Sequence, residues 1–357
     1  MNIESPDNAV LQEDLERAVK EDFPVDKLKN AKVLVTGATG LLGSQVVKYL
    51  LCLSRLKELQ ITVVLSVRNR EKAKKVFPYL EENPSLVILE GDINEEIQYE
   101  GEIDYIIHGA SPTSSKYFVS NPVETIRTAL DGTTNILSFA KKKRIQGMVY
   151  LSSLEVYGTP AKDAGLISEK DYGYIDPLSV RSSYSEGKRM VECLCVSYAK
   201  EYGVPVKIAR LSQSFGAGVE YNDGRVFAEF ARCAIEKKNI VLHTEGKTVR
   251  SYCYTMDAVT ALVFILLDGV VGEAYNVTNM HTAISIYDMA ELVCSLIPDS
   301  GISVEKDLPE DISSFGYNPE MVIRLDSSKL EKLGWRATVD LKEMYQRLMK
   351  SMMLRNC

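Results

Sequence analysis

The chain has 357 residues, 45% hydrophobic and 25% charged, which suits a globular protein with a large core and is long for a single unit. Its net charge of -7 argues against a surface for nucleic acid, and the basic run Lys141-Lys-Lys-Arg144 reads as a solvated helix end. Seven cysteines without paired spacing exclude a disulfide framework or a Cys-based metal site, so no metal is expected and a reducing, cytoplasmic setting is.

The first 30 residues are charged and lack the apolar core of a secretory leader. Within them Leu11, Leu15, Ala18 and Val19 fall at helical spacing, which predicts an N-terminal helical extension over 1–30 that packs on the protein's own surface. Ala31-Lys-Val-Leu-Val-Thr36 then reads as a buried strand and 41–54 as the following helix. The glycines between them, Gly37, Gly40 and Gly43, permit a tight turn and close backbone approach, so a pyrophosphate could rest on the helix N-terminus.

Further buried-strand runs at 61–67, 86–89, 105–107, 148–151 and 206–208 alternate with helices. That alternation predicts an α/β fold, a Rossmann-type doubly wound parallel sheet. The second strand ends in Arg68-Asn-Arg70, with no acid for the adenosine ribose hydroxyls of NAD. Arg68 would attract the 2′-phosphate of NADP, so NAD and NADP both stay open. The run 258–267 is too short to span a bilayer and reads as a buried helix; no membrane partner is expected. Less regular stretches at 211–247 and 272–335 predict a smaller, discontinuous lobe.

Ser153, Tyr184 and Lys188 carry the chemistry. Tyr184 and Lys188 are four apart and share a helix face. There the Lys188 ammonium is expected to lower the phenol pKa, making Tyr184 a proton acceptor near neutral pH while Ser153 holds the reacting oxygen. Glu155, two residues past Ser153, would share its face on an extended strand and place a carboxylate beside the substrate. Arg225 and Arg250 are guanidiniums suited to a diphosphate or carboxylate.

Taken together, Thr36-Gly-Ala-Thr-Gly-Leu-Leu-Gly43, Gly91-Asp-Ile93, Ser152-Ser-Leu-Glu-Val-Tyr-Gly158, Tyr184-Ser-Glu-Gly-Lys188 and Arg250-Ser-Tyr-Cys-Tyr254 resemble the extended short-chain dehydrogenase/reductase family over about residues 31–345, in its nucleotide-sugar epimerase, dehydratase and decarboxylase branch. His108-Gly-Ala-Ser-Pro112, Pro122-Val-Glu-Thr-Ile126, Arg181-Ser-Ser-Tyr-Ser-Glu-Gly-Lys-Arg189 and Asp223-Gly-Arg-Val226 look most like UDP-glucuronate decarboxylases. The resemblance implies a cofactor site at Gly37, Thr39, Gly40, Leu41, Leu42, Gly43, Arg68, Asp92, Ile93, Ala110, Ser111, Tyr184 and Lys188. It implies catalysis by Ser153, Glu155, Tyr184 and Lys188, substrate contacts from Ser153, Glu155, Gln213, Arg225 and Arg250, and a homodimer.

It also implies a dinucleotide-binding domain at 31–211 plus 250–275 and a substrate lobe at 212–249 plus 276–357. In this branch a lone Glu after the catalytic residue marks decarboxylases, and Leu154-Glu155 has that form, whereas dehydratases carry Asp-Glu. The chain departs from the family at Ala129, where Asn is usual, and at Gln213, Phe215 and Ala217 in place of Asn, Tyr and Pro. The expected activity is NAD(P)-dependent modification of a nucleotide-linked sugar through a 4-keto intermediate. An NADPH-dependent reductase of a keto-sugar or small carbonyl is the enzymatic alternative; a non-catalytic dinucleotide sensor would not need the intact Ser, Tyr and Lys set.

Overall fold

The structure, a computed structural model, describes residues 4–161, 164–309 and 320–354. Seven strands form one parallel sheet in the order Ala274–Val277, Val206–Leu211, Gly147–Ser153, Tyr105–His108, Lys32–Thr36, Thr62–Val67 and Leu86–Glu90. The central strands are short Val, Ile and Leu runs because both faces of the sheet are covered. Alternation divides them: Val33 and Val35 join the core on one face, with helices Leu41–Leu56 and Thr255–Asp268, while Leu34 joins that on the other, with helices Pro122–Lys143 and Ser182–Tyr202.

The first three strands run outward from Lys32–Thr36, and the fourth returns to its other side. The carboxyl ends of Lys32–Thr36 and Tyr105–His108 therefore flank the switch point, where open α/β sheets bind their ligands. All six strand runs read from the sequence lie in this sheet. The seventh, Ala274–Val277, was not read as a strand: it is four residues long and carries Asn276, whose side chain is buried and hydrogen-bonded.

A second sheet joins Asn279–Ser285, Val249–Tyr254, Val322–Leu325 and Leu166–Ile167, with Gln213–Phe215 beside Val249–Tyr254. Residues 250–254, expected with the dinucleotide-binding part, pair here instead, and the chain returns to the first sheet at the helix Thr255–Asp268. That helix is buried along nearly its whole length, and no helix among the described residues is long and apolar enough to cross a membrane.

The N-terminal helix Ala9–Ala18 is capped by Asn8, whose side chain accepts from the Leu11 amide. Val10, Leu11, Leu15, Ala18 and Val19 are buried in the main core. Its inward Asp14 accepts from the Tyr254 hydroxyl and lies 3.0 Å from Arg347 of the C-terminal helix Leu341–Leu354. Burial pushes the Asp14 carboxyl up to about 6 against both partners.

Candidate active site

The turn after Lys32–Thr36 is built on glycine for steric reasons. Gly37 sits at φ +69°, and a Cβ there would lie 2.8 Å from the Gly109 carbonyl; one on Gly43 would lie 2.2 Å from the Gly37 oxygen. Helix Leu41–Leu56 starts at Gly40 with no side chain capping it, which leaves its first amides for a ligand. Thr39, Leu41 and Leu42 complete this turn, which fits a dinucleotide pyrophosphate.

Thr36 and His108 tie the turn to the neighbouring strand. The Thr36 Oγ1 accepts from the Gly109 and Ala110 amides, each at 3.2 Å, so it donates its proton to His108 Nδ1 at 2.7 Å. The ring proton then sits on Nε2 and is donated to Thr133 Oγ1 at 3.0 Å. Burial, helped by the Lys188 charge, lowers the imidazole to about 3, so His108 is neutral and acts as a brace for the Gly109-Ala110 backbone. Ser111 bonds back to the Pro112 carbonyl.

In the segment expected on the adenine side, Asp92 accepts from the Asn94 amide, and the Ile93 carbonyl accepts from Asn135 at 3.0 Å. A Cβ on Gly132 would meet the Ile93 side chain at 3.0 Å, so this glycine lets the segment seat on helix Pro122–Lys143. Arg68 is exposed just past its strand, whose Ser66 pairs with Thr36, and it forms no ion pair among the described residues.

The structure gathers four of the expected residues into one cluster. Ser153 ends its strand, and its hydroxyl lies close enough to the Tyr184 phenol to favour its ionised form and accepts from the Glu155 amide at 3.2 Å. Tyr184 and Lys188 lie one turn apart on Ser182–Tyr202. The Lys188 ammonium donates to the Leu151 carbonyl at 2.7 Å and lies 5.6 Å from the Tyr184 ring centre.

This geometry corrects one expectation: the Tyr184 phenol is raised, not lowered, in the resting protein. Burial pushes Tyr184 up to about 12, with the Ser153 hydrogen bond opposing, and pulls Lys188 down to about 8, with Glu192 opposing. A second correction concerns Glu155. The strand stops at Ser153, so Glu155 reaches the cluster on a 3-10 turn, Leu154–Tyr157, and not by strand alternation. Its carboxylate accepts from Ser185 at 3.3 Å and lies 3.9 Å from Arg181.

Two contributors were not read from the sequence. Phe118 stacks on Tyr184, ring centres 4.2 Å apart and planes 8° apart. Behind the cluster, buried Glu192 accepts from Ser152 at 2.5 Å and from Arg210 in bidentate fashion, at 2.6 and 3.0 Å. The available signal for the second was Glu192 standing four residues after Lys188.

The second-lobe residues stand apart: among the described residues no hydrogen bond or ion pair joins Gln213, Arg225 or Arg250 to the Ser153 cluster. Gln213 lies on the short strand opposite Tyr252. Arg225 is already matched, pairing with Asp223 at 2.5 Å and lying over the Phe227 ring. Arg250 is different: it is 8% exposed, and among the described residues its Nε has no partner and Nη2 reaches only the Met321 sulfur at 3.6 Å. Among the described residues, this buried guanidinium has more unmet donor capacity than that of Arg225.

Comparison with known proteins agrees with this geometry. UDP-glucuronic acid decarboxylase 6 of Arabidopsis thaliana is 31% identical over 316 residues, covering 88% of this chain and 86% of that protein. UDP-glucuronic acid decarboxylase 1 of Xenopus tropicalis is 31% identical over 336 residues, covering 93% and 75%. Among solved structures, a dTDP-glucose 4,6-dehydratase from Streptomyces venezuelae with NAD bound superposes with a TM-score of 0.72 at 21% identity, covering 90% of this chain and 96% of its own. An epimerase from Methanothermobacter thermautotrophicus gives 0.74 at 19% identity, with 95% of each chain covered. The family model described as the NAD dependent epimerase/dehydratase family matches residues 33–278, and the chain belongs to that family, the extended short-chain dehydrogenase/reductases.

Proposed function

We propose that this enzyme modifies a nucleotide-linked sugar through a 4-keto intermediate, and that decarboxylation of a UDP-glucuronate-like substrate is its reaction. The observation that carries the choice is Glu155, held beside Ser153 and Tyr184 by Ser185 and Arg181, with apolar Leu154 where a 4,6-elimination would need an acid. The decarboxylase relatives at 31% identity support it.

A bound oxidised nicotinamide supplies a hydride acceptor and a positive charge beside the phenol. Tyr184 takes the proton of the sugar 4-hydroxyl, Ser153 holds that oxygen by hydrogen bond, and Lys188 orients the cofactor ribose. The C6 carboxylate of the resulting 4-ketone is β to the carbonyl. It leaves as carbon dioxide, its bonding electrons passing into the C4–C5 enolate, while Glu155 orients the ring. C5 then takes a proton from solvent, and Tyr184 gives its proton back to the C4 oxygen as that carbon is reduced; the hydride for this reduction would be the one a bound nicotinamide had stored. Arg250, and Arg225 once its Asp223 pairing is shared, hold the diphosphate, and Gln213 hydrogen-bonds the substrate beside them.

The test is Glu155→Gln, incubated with UDP-glucuronate, UDP-glucose and their dTDP, CDP and GDP counterparts, while carbon dioxide, product mass and cofactor absorbance are followed. The variant is expected to bind and oxidise the substrate but stall, so that keto-sugar or reduced cofactor accumulates. Turnover equal to wild type removes Glu155 from the mechanism.

Arg68 favours a second reading, an NADPH-dependent reductase. Arg68→Ala is then expected to weaken NADP(H) about tenfold or more and leave NAD(H) unchanged, because one charge-assisted contact to the 2′-phosphate is lost. Equal titrations for both cofactors leave Arg68 as a solvated strand end and the reductase without support.

We also assign the enzyme to the cytoplasm, in keeping with the free described cysteines, and to a homodimer. The two long helices on one face of the sheet leave Val123, Ile126, Met190 and Val196 exposed. Ile126→Asp with Met190→Asp is expected to halve the mass seen in sedimentation; an unchanged mass places the dimer elsewhere or excludes it.

A further inference from the structure

We propose that Phe118 is a positioning residue for Tyr184, stacking on the phenol to fix its plane and keep water off one face while leaving its hydroxyl edge open to the substrate. The short helix Ser115–Ser120 that carries it turns one side chain inward: Phe118 is 4% exposed, whereas its neighbours Tyr117 and Val119 are 39% and 50% exposed. The inward ring meets Tyr184 face to face, at 4.2 Å and 8°. A second tether holds the two elements together, the Ser183 hydroxyl donating to the Phe118 carbonyl at 3.4 Å.

The geometry of a stack matters here. The phenol oxygen lies in the ring plane, so a ring lying over the face excludes solvent without covering the oxygen. An aromatic pair of this kind contributes roughly 0.5–1.5 kcal/mol beyond its buried area. The same contact leaves the Tyr184 hydroxyl one plane in which to meet a sugar oxygen, and misplacement by about 1 Å can cost about a hundredfold in rate.

The polar and charged groups that face Tyr184 come from other directions. Ser153 and Tyr150 lie on the strand Gly147–Ser153, Glu155 on the turn after it, and Lys188 on the same helix. Phe118 carries no charge, so it acts on the phenol through desolvation alone, and its removal has one sign. Burial is the principal cause that pushes Tyr184 up to about 12; admitting water brings it down toward the ordinary phenol value of about 10.

The inference rests on Tyr184 as the proton-transferring residue of the proposed reaction, but its test needs no substrate. Full-length wild type, Phe118→Ala and Phe118→Leu are each compared with the same protein carrying Tyr184→Phe, and the difference in tyrosinate absorbance is followed from about pH 8 to about pH 10.5. The wild-type difference is expected to stay flat. In Phe118→Ala the Tyr184 signal is expected to rise within that range, with Phe118→Leu between the two because it keeps apolar bulk and loses the flat contact. Should Phe118→Ala precipitate, Phe118→Leu against wild type gives the same comparison.

A companion variant, Phe118→Tyr, restores the stack and is expected to return the flat trace once the added tyrosine is subtracted through its own Tyr184→Phe control. Flat traces for both Phe118→Ala and Phe118→Leu overturn the proposal. An absence of turnover with UDP-glucuronate in wild type, alongside the shifted titration, would reject the substrate reading and keep Phe118.

Discussion

Tyr184→Phe is expected to abolish turnover, by about a hundredfold or more, while leaving the fold and dinucleotide binding in place. The change removes one hydroxyl. A phenyl ring keeps the Phe118 stack, and the helix Ser182–Tyr202 keeps its packing through Val191 and Cys195, so no structural support goes with the oxygen. In the proposed mechanism the lost group is the one that accepts the sugar hydroxyl proton. At rest burial holds that phenol protonated, up to about 12, so the proposed mechanism requires positive charge from Lys188, joined by that of an oxidised nicotinamide when one is bound, to stabilise the phenolate. Carbon dioxide release and product mass measured beside a cofactor titration separate the two properties. Turnover within a few-fold of wild type would sink the mechanism.

The sheet was legible because its strands are buried on both faces, which forces short Val, Ile and Leu runs between loops. The Gly37 to Gly43 turn was legible because backbone crowding at Gly37 and Gly43 admits no side chain. Tyr184 and Lys188 were legible because helical spacing alone brings them together. What escaped depends on tertiary placement. Phe118 reaches Tyr184 from 66 positions away, on a six-residue helix whose sequence does not say which side faces in. The electrostatic expectation for Tyr184 failed because sequence reveals a neighbouring charge but not the depth of burial, and burial prevails here. Arg225 and Arg250 looked equivalent as residues; Asp223 satisfies the first, and the second is left with a sulfur contact.

The buried pair Glu192 and Arg210 carries the largest expected effect on stability. Arg210, 2% exposed at its side chain, donates to both Glu192 oxygens, to the Tyr157 hydroxyl at 3.0 Å and to the Glu169 carbonyl at 2.8 Å. Tyr157 passes the contact on to Asn276, whose amide holds the Ile167 and Asp326 carbonyls at the second sheet. Glu192 in turn holds Ser152, the neighbour of Ser153, so one network joins the strand Gly147–Ser153, the helix Ser182–Tyr202 and the second sheet. Glu192→Gln keeps the shape but strands a buried guanidinium, and is expected to cost about 3–5 kcal/mol in denaturant unfolding. Glu192→Met with Arg210→Met removes both charges together. It leaves Ser152 and the Glu169 carbonyl short of a partner, at about 1–3 kcal/mol each, and takes one bond from each of two hydroxyls, Tyr157, which keeps Asn276, and Tyr172, which is exposed to water; apolar packing in place of the ion pair offsets the loss by about 1–4 kcal/mol. The double variant is therefore expected to be more stable than Glu192→Gln. A double variant less stable than the single would show that the bonds to Tyr157 and Glu169, and not the stranded charge, dominate the loss.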